Sequence, residues 1–258
     1  MSEYDKAEIT GLILNKAKEL GADIAGVAPL SKVIASPSVQ LASIIGPHDI
    51  GKGDGDYKAT DAAWLYQSYK SIVVVGLAHP PEKPELDWWH GNKQPPGNRF
   101  LWKVVDKLSY WVKDLLKGVA VLNVPYHVEN GGVFLKDAAV YAGLGVIGRN
   151  NLFINPVCGP RVRLRTLLVG EELFYSEPLS YDPCNSCGGL CIKTCPQNAF
   201  DNIVYKAENS DTPANLPSRN GAYSRYKCNL QMRKDVKLSG DVIKYCRNCE
   251  INCPAGEC

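Results

Sequence analysis

The sequence predicts an α/β (α+β) sandwich domain followed by a small cysteine-rich domain. Patterns typical of helices and strands alternate along the first part of the chain. No cysteine precedes Cys158, and nine of the ten cysteines follow residue 183. The composition changes at SEPLSYDP (176–183), so we expect one domain at 1–177 and a second at 178–258.

Six segments of the first domain have periodic apolar patterns. Apolar runs predict strands at 23–30, 71–79 and 119–128. Apolar residues spaced three and four apart predict helices that end at glycine, at 7–21, 99–118 and 133–145. The run at 71–79 is continuous and β-branched, which is typical of a strand covered on both faces. This alternation favours a mainly parallel or mixed sheet.

Two segments rich in glycine, proline and charge, at 46–58 and 79–98, show no regular pattern. Long irregular segments in a compact domain often cover a functional site. In the second segment, Trp88, Trp89 and His90 could cover a flat ligand or anchor the segment to the body of the protein. The sequence leaves both interpretations open.

Charge and hydropathy bear on the partners and the cellular location of the protein. The formal net charge of +2 gives no argument for nucleic acid or an anionic membrane as the partner. The N-terminus has the pattern of an amphipathic helix rather than a signal peptide, and the longest apolar run is too short to cross a bilayer. We therefore expect a cytoplasmic protein with no membrane partner. Cytosolic thiols stay reduced, so dense cysteines indicate metal binding or catalysis.

Two runs of cysteines each end in Cys-Pro. The first is CNSCGGLCIKTCP (184–196), and the second is CRNCEINCP (246–254), which follows an isolated cysteine. In bacterial ferredoxins the cysteine before proline ligates the other of two [4Fe-4S] clusters. On that rule one cluster takes the first cysteine set, which is Cys184, Cys187, Cys191 and Cys253. The other cluster takes the second cysteine set, which is Cys195, Cys228, Cys246 and Cys249.

Zinc is the alternative metal, because zinc ribbons also use paired C-x2-C knuckles. Zinc ribbons do not need a third cysteine in the loop and a Cys-Pro ending, so the spacing favours iron–sulfur clusters. The gap between Cys187 and Cys191 is one residue longer than in the ferredoxin run. Cys158 is expected to be a small buried side chain or to line a cavity, and Cys258 is left out of both sets.

The glycine-rich stretch AGLGVIGRN (142–150) lies within 131–173, shortly before the cysteine runs. Together these features resemble the epoxyqueuosine reductases and, more distantly, the reductive dehalogenases. The resemblance implies an α/β domain that holds cobalamin against a ferredoxin-like domain with two [4Fe-4S] clusters. It also implies that cobalamin contacts Gly143, Leu144, Gly145, Val146, Ile147, Gly148, Arg149 and Asn150. From the residues alone, this stretch is a helix C-cap followed by a tight turn.

The resemblance also suggests a catalytic carboxyl group. In epoxyqueuosine reductases the proposed proton donor is an aspartate in a D-T-G-P motif upstream of A-G-L-G. Counting back without gaps gives Glu129-Asn130-Gly131-Gly132, so Glu129 is the expected catalytic residue. A buried carboxyl group with a raised pKa can deliver a proton. The alternative for Glu129 is a solvated residue at the end of a strand.

The leading hypothesis is an iron–sulfur oxidoreductase that passes single electrons through two clusters to a cofactor, with cobalamin expected, and reduces an unidentified substrate. Further candidate cavity residues are His79, Tyr126, His127 and Arg149. A cobalamin-free electron-transfer or partner-docking protein is the alternative, and a zinc-binding structural protein is a third. We expect a low-potential donor such as ferredoxin or flavodoxin. A small-molecule substrate is favoured over tRNA, because the charge is nearly neutral and no helical-repeat tail follows the second cysteine run.

Overall fold

The structure is a computed structural model that describes residues 3–36, 38–39, 67–91, 93–126, 133–200 and 223–256. In chain order the first elements are α1 (Glu3–Glu19), β1 (Ile24–Pro29), α2 (Leu30–Ile34), β2 (Ser71–Ala78), a 3-10 helix (Pro84–Asp87), β3 (Trp89–His90), α3 (Pro96–Leu115) and β4 (Val121–Asn123). They are followed by α4 (Leu135–Tyr141), β5 (Val146–Ile147), β6 (Phe153–Ile154), β7 (Val162–Val169), α5 (Leu190–Lys193), α6 (Arg225–Leu238), β8 (Val242–Ile243) and α7 (Asn248–Ile251).

The main sheet has four described strands in the order β1-β2-β7-β4. Every pair in it is antiparallel, with Gly76 opposite Ile24 and Leu164, and Val169 opposite Val121. The expectation of a mainly parallel or mixed sheet is therefore wrong for the described strands. Strand β7, which the sequence analysis did not assign, inserts between β2 and β4 and runs opposite to both. The order of helices and strands along the chain does not reveal that β7 lies between β2 and β4.

Apolar side chains cover both faces of the sheet. Ile72 and Val74 pack in the core cluster beside α2 and α4, whereas Val73 and Val75 pack in the cluster beside α1 and α3. All four side chains are at most 1% exposed. The prediction that 71–79 is a strand covered on both faces is confirmed. Burial of each such side chain stabilises the fold by about 1.5–3 kcal/mol.

The predicted helices are found with shifted ends, and each is followed by a glycine of positive φ. These glycines are Gly21 at +108°, Gly118 at +83° and Gly143 at +68°. The predicted strand at 119–128 is shorter, with β4 ending at Asn123. The irregular segment 46–58 lies outside the described residues.

Strand pairing and hydrogen bonds are among the contacts that join the cysteine-rich part to the sheet domain. Strand β8 pairs antiparallel with β3, and Arg161 donates from Nη2 to the carbonyl oxygens of Ala255 (3.3 Å) and Gly256 (2.9 Å). The domain boundary at 177/178 stays a prediction. No helix within the described ranges is both long and apolar enough to cross a membrane.

Candidate functional site

The four thiols of the first cysteine set lie close enough to affect one another electrostatically. Burial raises the pKa of Cys191 to about 11, and the negative charges of Cys253, Cys184 and Cys187 add to the rise. Burial also raises the pKa of Cys184, with further contributions from Cys187 and Cys253. The structure therefore brings together the three cysteines of the first run and one cysteine from the C-terminal run.

The second cysteine set forms a separate group of the same kind. Burial raises the pKa of Cys249 to about 12, and Cys228, Cys246 and Cys195 each add a smaller contribution. Burial raises the pKa of Cys246 too, with Cys228 and Cys195 among the neighbouring charges. Each run thus gives its last cysteine to the group formed around the other run. The assignment of these thiols as cluster ligands stays a prediction.

The nine described cysteines are all free thiols. Within the described ranges, no three or more His, Cys, Asp or Glu side chains are arranged to hold one metal ion. Two quartets of neighbouring thiols suit a cluster with four thiolate ligands.

Backbone N–H groups donate hydrogen bonds to sulfurs of both cysteine sets. Arg149 donates to Cys184 Sγ at 3.4 Å, and Ala199 donates to Cys195 Sγ at 3.3 Å. Such hydrogen bonds help to set the reduction potential of iron–sulfur clusters. One sulfur in each cysteine set therefore already accepts a hydrogen bond of the kind that a cluster ligand accepts.

The glycine-rich segment 143–150 contacts both cysteine sets. Val146 and Ile154, which lie in the paired strands β5 and β6, pack against the side chain of Cys184. The Asn150 side chain donates from Nδ2 to the carbonyl oxygen of Cys249 at 3.2 Å. The segment therefore lies directly against the cysteine-rich part of the protein.

The glycines of this segment face protein rather than an open space. A Cβ atom on Gly145 would lie 2.2 Å from the carbonyl oxygen of Ile154, and one on Gly143 would lie 2.6 Å from that of Glu177. Within the segment, only Arg149 is exposed. These positions require glycine for internal packing. The segment does not form an open cradle for a large planar ring, so it does not fit the cobalamin contact predicted for it.

The helix C-cap expected from the residues alone is present. Helix α4 ends at Tyr141, Gly143 adopts its positive φ, and Leu144 donates its N–H to the carbonyl oxygen of Ala139 at 3.0 Å. This geometry satisfies a carbonyl group at the end of the helix.

Two expected site residues, Glu129 and His127, lie outside the described residues. Tyr126 is partly exposed, with the Arg165 guanidinium 4.6 Å from the centre of its ring. Cys158 is buried, and its N–H donates to the Asn155 side chain at 3.0 Å. This supports the interpretation of Cys158 as a small buried side chain.

His79 is buried and lies in an ion cluster that the sequence analysis missed. The charged members of this cluster are Asp87, Arg163, Arg247 and Glu250. One signal in the sequence was the presence of charged residues directly beside cysteines, in CRNCE (246–250).

Trp88 and Trp89 anchor their segment to the cysteine-rich part. The ring of Trp89 packs edge-on against Tyr245 with 5.8 Å between centroids, and Lys244 Nζ lies 4.4 Å from the centre of the Trp88 ring. The structure supports the anchoring interpretation over that of a ligand cover.

The described residues line two open cavities, and one of them borders the first cysteine set. One of about 560 Å³ is lined by Cys187 and by neighbours that include Tyr181 and Pro254. The other, of about 580 Å³, lies between α1 and α3, is lined in part by Lys16 and Trp111, and contains no predicted site residue.

The fold is that of epoxyqueuosine reductase structures. The structure of the Bacillus subtilis enzyme with its catalytic loop swung out of the active site has a TM-score of 0.67 and 17% identity, covering 97% of this chain and 66% of that one. The structure of an epoxyqueuosine reductase with an epoxyqueuosine-modified tRNA-Tyr stem loop has a TM-score of 0.63 and 16% identity, covering 96% and 65%. A reductive dehalogenase whose structure suggests a B12-dependent mechanism is more distant, with a TM-score of 0.51, 18% identity, and coverage of 77% and 26%.

Curated relatives in sequence carry the same name. The epoxyqueuosine reductase of Cyclobacterium marinum is 26% identical over 205 residues, which cover 76% of this chain and 65% of the relative. That of Leadbetterella byssophila is 26% identical over 205 residues, with coverage of 78% and 65%. The chain thus spans just under two thirds of the length of these relatives. No family model matches the chain. The resemblance stated from the sequence is confirmed, whereas the two-cluster domain stays a prediction.

Proposed function

We propose that this chain is an iron–sulfur oxidoreductase of the epoxyqueuosine reductase type, with one [4Fe-4S] cluster on each cysteine set. The observation that carries the proposal is the grouping of eight thiols into two quartets that exchange one cysteine between the two runs. The relatives in sequence are all reductases, which favours a reductase over a docking protein.

The chain's own residues have defined roles in such a site. The thiols must lose their protons to bind iron, so the raised pKa values of Cys191 and Cys249 mean that metal binding there releases protons at neutral pH. The N–H groups of Arg149 and Ala199 stabilise negative charge on their sulfurs. Asn150 fixes the backbone at Cys249 beside the glycine-rich segment. When bound, the clusters would supply one-electron transfer.

Cobalamin is retained as the expected second cofactor because of the fold shared with a B12-dependent dehalogenase. No step of the proposed electron path depends on it, since segment 143–150 is packed against protein. Glu129 is retained as the proposed proton donor for the same class of reaction. A low-potential donor such as ferredoxin or flavodoxin, and a cytoplasmic location, complete the proposal.

The substrate proposed here differs from the small molecule that the sequence favoured. A structural neighbour was solved with an epoxyqueuosine-modified tRNA stem loop, which argues against the preference for a small molecule. That preference relied in part on the net charge, which averages over the whole chain and says nothing about one surface. We therefore propose an epoxyqueuosine-bearing RNA stem loop as the first substrate to test.

Iron and acid-labile sulfide analysis of anaerobically prepared protein tests the core of the proposal. We expect about eight iron atoms per chain and two overlapping signals in electron paramagnetic resonance (EPR) spectra after dithionite reduction. Cys228→Ser should weaken one signal and retain the other. Protein that binds zinc but no iron, or a Cys228→Ser variant with both signals intact, would overturn the proposal.

An optical spectrum after incubation with cobalamin tests the second cofactor separately. A corrin band that stays with the protein through gel filtration supports a cobalamin-dependent reductase. Iron–sulfur absorption without a retained corrin band would leave an electron-transfer protein and remove cobalamin from the proposal.

A further inference from the structure

One buried carboxylate joins the sheet to the second cysteine set. Asp87 is 8% exposed, and its two oxygens contact different guanidinium groups. Oδ1 pairs with Arg163 on the central strand β7, and Oδ2 pairs with Arg247 in the second cysteine run. Asp87 therefore bridges two parts of the chain that are distant in sequence.

The rest of the ion cluster balances these charges. Glu250 accepts from Arg247 Nε at 3.1 Å, and the Asn98 side chain accepts from Arg163 Nη1 at 2.7 Å. Two carboxylates thus face two guanidinium groups in an environment that is largely shielded from water. Removal of one carboxylate would leave one positive charge without compensation.

The Nδ1 atom of His79 lies 3.1 Å from Asp87 Oδ2 and 2.9 Å from Arg247 Nη2. It can serve only one of these partners at a time, because it either donates or accepts. Burial raises the pKa of Asp87, but the hydrogen bond with His79 and the nearby guanidinium groups outweigh burial and lower it below the ordinary value. Asp87 is therefore charged at neutral pH.

Glu250 and Arg247 are the members of the ion cluster that lie in the second cysteine run, and Arg247 is the positively charged one. It lies between Cys246 and Cys249 in the sequence, directly beside one proposed ligand and two residues from the other. A positive charge near an iron–sulfur cluster favours the reduced form, which carries one more negative charge, and so raises its potential. A carboxylate paired with that guanidinium cancels the effect.

We propose that Asp87 is a positioning residue for the second cysteine set, where it neutralises Arg247, holds the 246–249 loop against β7 and keeps the potential of the bound cluster low. The inference rests on the proposed function, because it requires a cluster on this set. The first cysteine set is an internal reference, since three of its four cysteines lie in the run 184–196, which contains no residue of the ion cluster. Its fourth cysteine, Cys253, follows Glu250 in the second run.

The test is an EPR-monitored redox titration of the reconstituted protein. Asp87→Asn should shift the potential of one cluster to a more positive value and leave the other unchanged. Arg247→Gln should shift the same cluster in the opposite direction. Glu85→Gln is the matched control, because it removes the same charge from an exposed position in the same 3-10 helix. Cys228→Ser identifies the signal of the second set, and Asp87→Glu should restore most of the potential.

The outcomes separate this inference from the function that it rests on. Wild-type protein without iron would refute the proposed function. With two clusters present, equal potentials in Asp87→Asn and Glu85→Gln, or equal shifts of both clusters, would overturn the role of Asp87. Loss of the second signal alone in Asp87→Asn would support the holding role, whereas loss of both signals would indicate general unfolding and overturn it.

Discussion

Gly159 allows a close contact between the sheet domain and the C-terminal cysteine run, and its replacement gives a measurable prediction. Its φ is +59°, and a Cβ atom there would lie 1.8 Å from the carbonyl oxygen of Ala255. Alanine in the left-handed region costs roughly 1–2 kcal/mol. The clash is with backbone, which cannot rotate away, and overpacking adds about 1–3 kcal/mol. Gly159→Ala should therefore lower the free energy of unfolding by about 2–5 kcal/mol.

Gly91→Ala isolates the packing part of this effect. Gly91 has a φ of +58°, and nothing lies within 4 Å of the Cβ position. In both variants the alanine is destabilised equally by its positive φ. In both, it also lowers the entropy of the unfolded chain by the same amount, which stabilises the fold. In urea unfolding, Gly159→Ala should be less stable than Gly91→Ala by about 1–3 kcal/mol. Equal stabilities within about 0.5 kcal/mol would refute the proposed contact at Ala255.

Two further predictions concern the second cysteine set. Ser224 caps the helix that carries Cys228 by accepting a hydrogen bond from the Lys227 N–H, so Ser224→Ala should cost about 1 kcal/mol in urea unfolding, and an unchanged midpoint would contradict the cap. In the metal-free chain the pKa of Cys249 is about 12, so the thiolate fraction should rise about tenfold per pH unit from pH 7 to 10. Peptide mass spectrometry after iodoacetamide labelling would measure this rise, and a plateau near pH 9 would contradict the raised pKa.

The local pattern of the sequence determines which segments are helices or strands but not how the strands pair. The continuous β-branched run from Ser71 to Ala78 indicates a strand that is buried on both faces. The glycines after the helices indicate positions where the backbone needs a positive φ. Strand β7 escaped assignment because Arg163 and Arg165 interrupt its apolar pattern near its start. Those arginines are satisfied by Asp87 and Gln94, far away in sequence. Pairing over such distances leaves no periodic signal.

The cysteine spacing carried more information than the periodic pattern. Cys184 and Cys187 lie in a loop, Cys191 lies in the short helix α5 that follows it, and Cys195 comes after that helix, directly before proline. The thiols group around Cys191 and around Cys249 as the ferredoxin-like spacing predicts, and their role as cluster ligands stays a prediction. The ion cluster could not be found in this way, since CRNCE marks charge beside cysteine without indicating its partner.

The glycine-rich segment shows how one motif can serve a purpose other than the one suggested by resemblance. Its glycines allow the segment to lie against Ile154 and Glu177, and this packing aims the Arg149 N–H at Cys184 and the Asn150 amide at the Cys249 backbone. A bulkier residue at Gly145 would push these two donors away from the cysteine sets. The glycines of this segment therefore have a structural role that holds with or without cobalamin: they allow one segment to contact both cysteine sets.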